Sequence, residues 1–153
     1  MANIGGKYFA PKPGRFGIMP EMLVAGSQNS TAIVSTTATT QWNFTTPLRK
    51  IRCLRFSAST RNTPGVVSAT GTLPCTIKKI SASGATTTAL TSAFDLTTLV
   101  SNVVKGFTIL TTLNPPDLVL QEGDVLQAVI STSLTITTLP VDLAIMAEVD
   151  IAE

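Results

Sequence analysis

Strict alternation of apolar and polar residues marks the last part of the chain. Between Val141 and Ile151 an apolar residue stands at every second position, and most of the residues between them are acidic or small. A period of two is the pattern of a β-strand with one buried face. We therefore predict a closing strand whose apolar face covers a core and whose acids, Asp142, Glu148 and Asp150, face water or a basic partner.

Short β-branched and Thr-rich runs, separated by Gly, Pro and Asn turns, continue this pattern over the rest of the chain. Val125–Ser131 is apolar on both faces except at Gln127, as in a buried strand. Leu48–Ser57 changes phase, and a β-bulge near Cys53 would reconcile its two parts. About eight strands at roughly ten-residue spacing predict an all-β fold, an antiparallel β-sandwich that is jelly-roll-like, with a five-stranded closed barrel as the alternative.

Residues 95–104 interrupt the β pattern. Asp95 is placed to cap the start of a helix and Gly106 to end it. Four apolar residues between them recur at helical spacing: Leu96, Leu99, Val100 and Val103. The spacing predicts one short helix or helical turn, although β-branched residues here are poor helix formers.

Residues 1–30 show neither a helical nor a strand period. Gly, Pro and basic residues are frequent here, as in an extended arm. The alternatives are a solvated tail and an arm that lies on a partner, and the apolar content favours the arm because a solvated tail has no use for it. The candidate contact residues are Tyr8, Phe9, Phe16, Met19 and Met22. The prediction is an arm over 1–30 and a β-sandwich domain over 31–153.

Charges are sorted by sequence half. Residues 1–80 carry ten Lys or Arg and one acid, whereas residues 81–153 carry one base and eight acids. The net charge of +2 therefore hides halves of about +9 and −7. Two explanations stay open: strands of opposite charge are neighbours within one sandwich, or charged faces dock on other copies or on a shell. The candidate face residues are Arg49, Arg52, Arg55, Asp142, Glu148 and Asp150.

The composition argues against catalysis. Histidine is absent, which removes the usual general base and the commonest zinc ligand. Asp117, Glu122 and Asp124 cluster around two turns that explain them structurally. Cys53 and Cys75 lie in apolar runs and are expected to be buried thiols. We expect no enzyme activity and no cofactor.

The sequence also limits the compartment and the partners that we expect for the protein. No stretch approaches the ~20 apolar residues of a membrane span, and no apolar leader follows the N-terminus, so we expect a soluble protein made in a cytoplasm. Arg52 and Arg55 near Trp42 and Phe44 could form a nucleic-acid surface. The acidic second half would repel phosphate, so nucleic acid is not the favoured partner.

Four elements follow one another over about residues 86–151. They are the segment Asp95–Leu99, a predicted strand Phe107–Leu113, the motif Leu118–Leu126 with Gly123-Asp124 at its turn, and the closing alternating strand. In this pattern the second half of the chain resembles the small virion proteins that decorate tailed-phage heads. The same pattern occurs in other β-sandwich proteins.

The resemblance implies a non-catalytic cement role. Such β-sandwich subunits, often trimers, sit over junctions between major capsid protein subunits on the virion surface, after assembly in the host cytoplasm. Many moderate contacts summed over a lattice give strong attachment. The alternatives are a receptor- or glycan-binding fibre module, for which Trp42 is the best candidate residue, and a small single-stranded nucleic-acid-binding barrel.

Overall fold

The structure is a computed structural model that describes residues 21–27, 39–44, 49–66, 71–131, 136–138 and 140–152. Within these residues the strands are β1 (Glu21–Ser27), β2 (Thr39–Asn43), β3 (Ile51–Ser59), β4 (Gly65–Val66), β5 (Pro74–Ile80), β6 (Thr87–Ala89), β7 (Phe94–Asp95), β8 (Lys105–Gly106), β9 (Val119–Leu120), β10 (Val125–Ser131), β11 (Ile136–Thr138) and β12 (Leu143–Ile151). Two short 3₁₀ turns lie at Leu96–Thr98 and Pro115–Leu118. The predicted all-β class is confirmed.

The strands form two main antiparallel sheets. Sheet A has the order β1-β12-β3-β8, with β9 also paired to β3. Sheet B has the order β2-β10-β5-β6, with β7 also paired to β5. A separate ribbon pairs β11 with β4.

The order of the eight strands on the two main paths is that of a jelly roll. Numbered one to eight along the chain, they run 1-8-3-6 in sheet A and 2-7-4-5 in sheet B. Successive strands therefore cross between the sheets, except strands four and five, which are neighbours in sheet B, and this order produces two interlocked Greek keys. The jelly-roll-like sandwich is confirmed, and the alternative of a single closed barrel is not what forms.

The core lies between the sheets and is mostly aliphatic. β12 contributes alternate residues to it, as its period of two predicts, and the strand is buried at every second position from Leu143 to Val149. β10 is the central strand of sheet B and is buried at Leu126, Ala128 and Ile130. Full burial of a Leu, Ile or Phe side chain contributes about 1.5–3 kcal/mol each. The hydrophobic pattern therefore positions these two strands.

The predicted bulge lies in β3. In the pairing with β12, Glu148 is opposite Arg55 and the next residue, Val149, is opposite Cys53, so Leu54 is the extra residue. The bulge turns both Cys53 and Phe56 into the core although they are three residues apart. Leu54 and Arg55 consequently lie on the outer face.

Three predictions need correction. The sandwich begins before residue 31: Glu21–Ser27, assigned to the arm, pairs with β12 over all seven of its residues. The predicted strand at 107–113 does not form. Among the described residues, one bridge, Thr91 with Ile109, holds this segment, and its end turns through a hydrogen bond from Leu113 N to Leu110 O.

The predicted helix at 95–104 is shorter than expected. It is a 3₁₀ turn of three residues, Leu96–Thr98, and the chain is already extended at Leu99. Asp95 does cap it, since its Oδ1 accepts hydrogen bonds from Thr97 N at 3.0 Å and from Leu73 N at 2.9 Å. The bond to Leu73 ties the turn to the residue before β5. Further along, Asn102 N donates to Thr60 O, a tertiary contact in place of the helical bond to Thr98 O.

Candidate functional site

The predicted charged residues meet on the outer face of sheet A. Arg55 of β3 and Glu148 of β12 are opposite each other in the ladder, and the Arg55 Nε donates to Glu148 Oε2. Arg52 is opposite Asp150 two pairs further along. Arg49 lies exposed just before β3. Pairing of β3 with β12 therefore brings first-half bases against second-half acids.

Two further ion pairs follow the same rule. Arg61 Nη1 lies 3.0 Å from Asp142 Oδ2, and Lys79 Nζ lies 3.9 Å from Asp124 Oδ2. Each pair again joins a base of the first half to an acid of the second. The first explanation of the charge split, neutralisation between neighbouring strands, accounts for these pairs. The exposed pair of Arg61 and Asp142 contributes about 0–1 kcal/mol, because water screens it. Lys79 and Asp124 are instead largely buried.

The candidate arm residues divide at the start of β1. Tyr8, Phe9, Phe16 and Met19 lie outside the described residues. Met22 lies in β1, opposite Glu148, with 48% of its surface exposed.

Met22 belongs to an apolar surface along β1 that we call the edge strip. Its other members are Val24, which is 54% exposed, and Met146, the half-buried partner of Val24 on β12. Leu23 lies between the two exposed β1 residues and is only 5% exposed, because it faces the core. Met22, Leu23 and Val24 are all apolar, so the sequence has no apolar–polar alternation here that could have indicated a strand.

A second apolar surface is the valine loop, Val100–Val104, between the 3₁₀ turn and β8. Val100, Val103 and Val104 are 47%, 42% and 61% exposed, whereas Leu96 and Leu99 are fully buried beneath them. The helical spacing suggested one continuous apolar face. The chain becomes extended at Leu99 instead and turns the valines outward.

The valine loop is held by hydrogen bonds to the chain that follows β3. Asn102 N donates to Thr60 O at 2.8 Å, Ser101 Oγ donates to Arg61 O at 2.5 Å, and Ser101 N donates to Thr63 Oγ1 at 3.3 Å. Asn102 adopts a left-handed conformation with φ of 58°, which Asn tolerates better than most residues. The valines are thus presented on a backbone that is already fixed before any contact.

The corner beneath this loop is tied together by Thr60, which is buried. Its Oγ1 donates to Val141 O at 2.8 Å, and Val141 N donates to Asn62 Oδ1 at 2.6 Å. These bonds join the end of β3 to the start of β12. The loop therefore rests on both central strands of sheet A.

The acids at the two turns have structural roles. Asp124 is buried, and its carboxylate accepts hydrogen bonds from Ala82 N at 3.0 Å and Gln121 N at 2.9 Å. Asp117 accepts one from Asn114 N at 2.8 Å. No group of three or more His, Cys, Asp or Glu residues suited to a metal occurs in the part of the chain that the structure describes.

The aromatic and thiol candidates are drawn into the interior. Phe44 is 3% exposed, and Trp42 is half-buried against the core. Cys53 and Cys75 are buried free thiols, as predicted. Burial raises the pKa of each thiol to about 12, so both stay protonated at neutral pH.

Comparison with known proteins adds no relative to this geometry. No family model matches the chain, and the searches of curated proteins and of solved structures give no match either. Within the described residues, no helix is long and apolar enough to cross a membrane.

Proposed function

We propose that the protein is a non-catalytic virion component that decorates a capsid shell and binds at junctions between major capsid protein subunits. Its place is the outer surface of the virion, and it acts as a homo-oligomer, for which the resemblance to phage decoration proteins favours a trimer. Jelly rolls are common in viral capsid proteins but also occur in lectins, so the fold alone is only an analogy.

The valine loop is the observation that carries the proposal. Three half-exposed valines on a fixed backbone lose little conformational entropy on docking, and the ordering of side chains and loops is one of the costs of forming an interface. They suit an apolar recess on a partner protein. A shell offers the same recess many times, so a modest contact at each position suffices.

The ion pairs within the sandwich make its charged side chains poorer candidates for contacts with the shell. Arg55 and Glu148 bind each other, and Asp142 binds Arg61. Docking through these side chains would first have to replace contacts that already exist. We therefore assign shell binding mainly to apolar contacts, with the arm residues Tyr8, Phe9, Phe16 and Met19 as a second candidate element.

No specific observation favours the two alternative functions. A glycan-binding module needs an exposed aromatic platform, and Trp42 packs on the core instead. A single-stranded nucleic-acid binder needs aromatics beside its cations. Phe44 is buried in the core, and Arg55 is bound to Glu148.

Co-sedimentation tests the proposal. The full-length protein is mixed with shells assembled from the major capsid protein of the same virion, and the pelleted fraction is measured against concentration. Wild type should pellet with the shells. Val100→Ser/Val104→Ser should weaken binding by about tenfold or more, because each apolar carbon removed from the contact costs about 0.8 kcal/mol and about 1.4 kcal/mol is a factor of ten. Leu54→Ser, at an exposed leucine on the outer face of sheet A, is the matched control and should bind as wild type does.

Two results would contradict the proposal at different levels. If wild type stays in the supernatant at every concentration, the cement role is wrong. If wild type pellets and the valine variant pellets equally well, the loop is not the contact. Phe9→Ser/Phe16→Ser then tests whether the arm supplies the binding.

A further inference from the structure

β1 is an edge strand of sheet A. It pairs with β12 along one side over all seven of its residues, and the described part of the chain supplies no strand to its other side. The edge of a sheet presents a row of backbone N–H and C=O groups that can pair with an incoming strand. The length and chemistry of an edge decide how readily this happens.

β1 is longer than the other sheet edges among the described residues. The opposite edge of sheet A consists of β8 and β9, with two residues each. Sheet B ends in β6 and β7 on one side, with three and two residues, and in β2 on the other, with five. Short edges offer few hydrogen bonds to a second strand, so β1 is the best template of the set.

β1 also lacks the features that block pairing between edges. It contains no Pro and no Lys, and its register with β12 is continuous, with no bulge. Its single charge, Glu21, stands at the first position. Natural edge strands usually carry at least one of these protections. The outer face of the strand is apolar instead, with Met22 and Val24 about half exposed.

We propose that β1 pairs antiparallel with β1 of a second copy about a two-fold axis, so that sheet A continues from one copy into the next. The contact is isologous, which means that one surface serves both partners. Backbone hydrogen bonds supply the attraction, as in other cases of strand addition to a sheet edge.

The residues of β1 specify the register. An axis through Val24 places Met22 opposite Gly26 and Leu23 opposite Ala25, so these two large residues each meet a small one, and Val24 meets Val24 of the other copy. Glu21 then lies opposite Ser27, and the two copies of Glu21 are at opposite ends of the contact. An axis through Leu23 or Ala25 loses two residues of overlap. The Val24 axis is therefore the one that uses the whole strand.

The size of the contact sets the expected strength. Stable interfaces bury about 1,200–2,000 Å² in total, and a single strand pair with the edge strip buries less than this. We expect a dimer that forms at micromolar concentrations, with little repulsion because each copy carries a net charge of only +2. The inference goes beyond the proposed function, since it concerns self-association without a shell.

Cysteine cross-linking tests both the contact and its register. Residues directly opposite in an antiparallel pair have Cα atoms about 4.5–5.5 Å apart, within the range of a disulfide. Val24→Cys in the full chain should therefore form an intermolecular disulfide under mild oxidation. The native thiols should not compete, since both are buried and their pKa is about 12.

The matched control is Val104→Cys, which places an equally exposed thiol on the valine loop. Cross-linking of the Val24 variant at a rate at least about tenfold higher supports the two-fold contact, because a held pair of thiols has a far higher effective concentration than free ones. Equal rates, or no disulfide at position 24, overturn it.

Molar mass in solution gives a second, independent measurement. The molar mass of wild type should rise with concentration. Either single copies form dimers, or the contact between two copies joins one trimer to another. Val24→Lys should raise the dissociation constant of the pair by about tenfold or more, since it places like charges directly opposite each other. Val104→Lys should leave it unchanged. A wild type in which two copies do not pair at any concentration, or a Val24→Lys variant that pairs equally well, overturns the proposal. Neither result bears on shell binding.

Discussion

The edge strip and the valine loop both expose valines to about the same extent, yet their backbones differ. Val24 lies on a strand whose outer side has no pairing strand in the described part of the chain, so its surroundings offer hydrogen bonds as well as apolar area. The loop around Val103 has its backbone groups tied to Thr60, Arg61 and Thr63. The loop therefore offers a partner its exposed valine side chains more than its backbone.

Because of this difference, one small domain can make two kinds of contact. An edge that pairs through its backbone is most easily satisfied by another strand, and a second copy always supplies one. Exposed apolar side chains on a fixed loop can pack into any recess of complementary shape, and the partner that forms the recess need not present a strand. Self-association and docking on a shell thus draw on different chemistry within one molecule.

The largest expected effect is the loss of stability when the buried leucine of each region is truncated. Leu99→Ala, under the valine loop, should lower the free energy of unfolding by about 3–5 kcal/mol, because Leu99 is fully buried and leaves a cavity. Leu23→Ala, in the edge strand, should cost about 2–3 kcal/mol, because an edge can relax around the change. Denaturant unfolding measures both. A larger loss for Leu23 would show that β1 is the more firmly packed region.

The next effect concerns the corner that supports the valine loop. Thr60→Val keeps the shape of the side chain but removes the hydroxyl that donates to Val141 O, and it should cost about 1–3 kcal/mol. Thr98→Val is the control, since the Thr98 hydroxyl also donates to a backbone carbonyl but is exposed to water.

Hydrogen exchange locates the change. The amide of Asn102, which donates to Thr60 O, should exchange faster in Thr60→Val, whereas amides of β1 should not. Equal acceleration in both regions would mean that the corner stabilises the whole sandwich rather than the loop.

A smaller effect is expected from the ion pair beside the edge strip. Glu148→Gln should lower stability by about 0–1 kcal/mol at low salt, and this difference should vanish near 0.5 M salt, where exposed charges are screened. Asp142→Asn, beside the valine loop, should cause the same small loss of stability, and it should also vanish at high salt. A loss above this range for Glu148→Gln would mean that the pair with Arg55 orients β12 against β3.

The smallest effect on stability is expected at the exposed valines themselves. Val24→Lys and Val104→Lys should each stay within about 0.5 kcal/mol of wild type, since both side chains are about half exposed. Thermal unfolding at a concentration low enough to avoid association measures this. If Val24→Lys unfolds far more easily, its effect on pairing could not be assigned to the contact.

Much of the fold could be predicted from local pattern. The alternation of Val141–Ile151 predicted β12, the two-sided apolar run predicted β10, and the phase change in Leu48–Ser57 predicted the bulge. β1 could not be predicted in this way, because its seven residues follow a Gly- and Pro-rich segment and become a strand through pairing with β12. The length of the helix at 95–104 was overestimated because its period of 3.6 carries no information about the tertiary bond from Asn102 N to Thr60 O, which replaces a helical bond.

The candidate surfaces were predictable only in part. Sorting of the charges was visible in the sequence, but the pairs Arg55–Glu148 and Arg61–Asp142 join residues about eighty to ninety positions apart. The hydropathy of Val100, Val103 and Val104 predicts burial, yet all three are exposed. It follows from a backbone that leaves the 3₁₀ turn at Leu99, and hydropathy carries no information about that direction.

The amino-acid sequence by itself determined an all-β chain with an aliphatic core, no histidine chemistry and charges divided between its halves. These are properties of composition and of a period of two, which act between near neighbours. The tertiary structure alone decided that β1 forms an edge of sheet A, that opposite charges meet across β3 and β12, and that three valines face outward. Each of these depends on which distant strands pair, because pairing sets the face and the neighbours of every side chain.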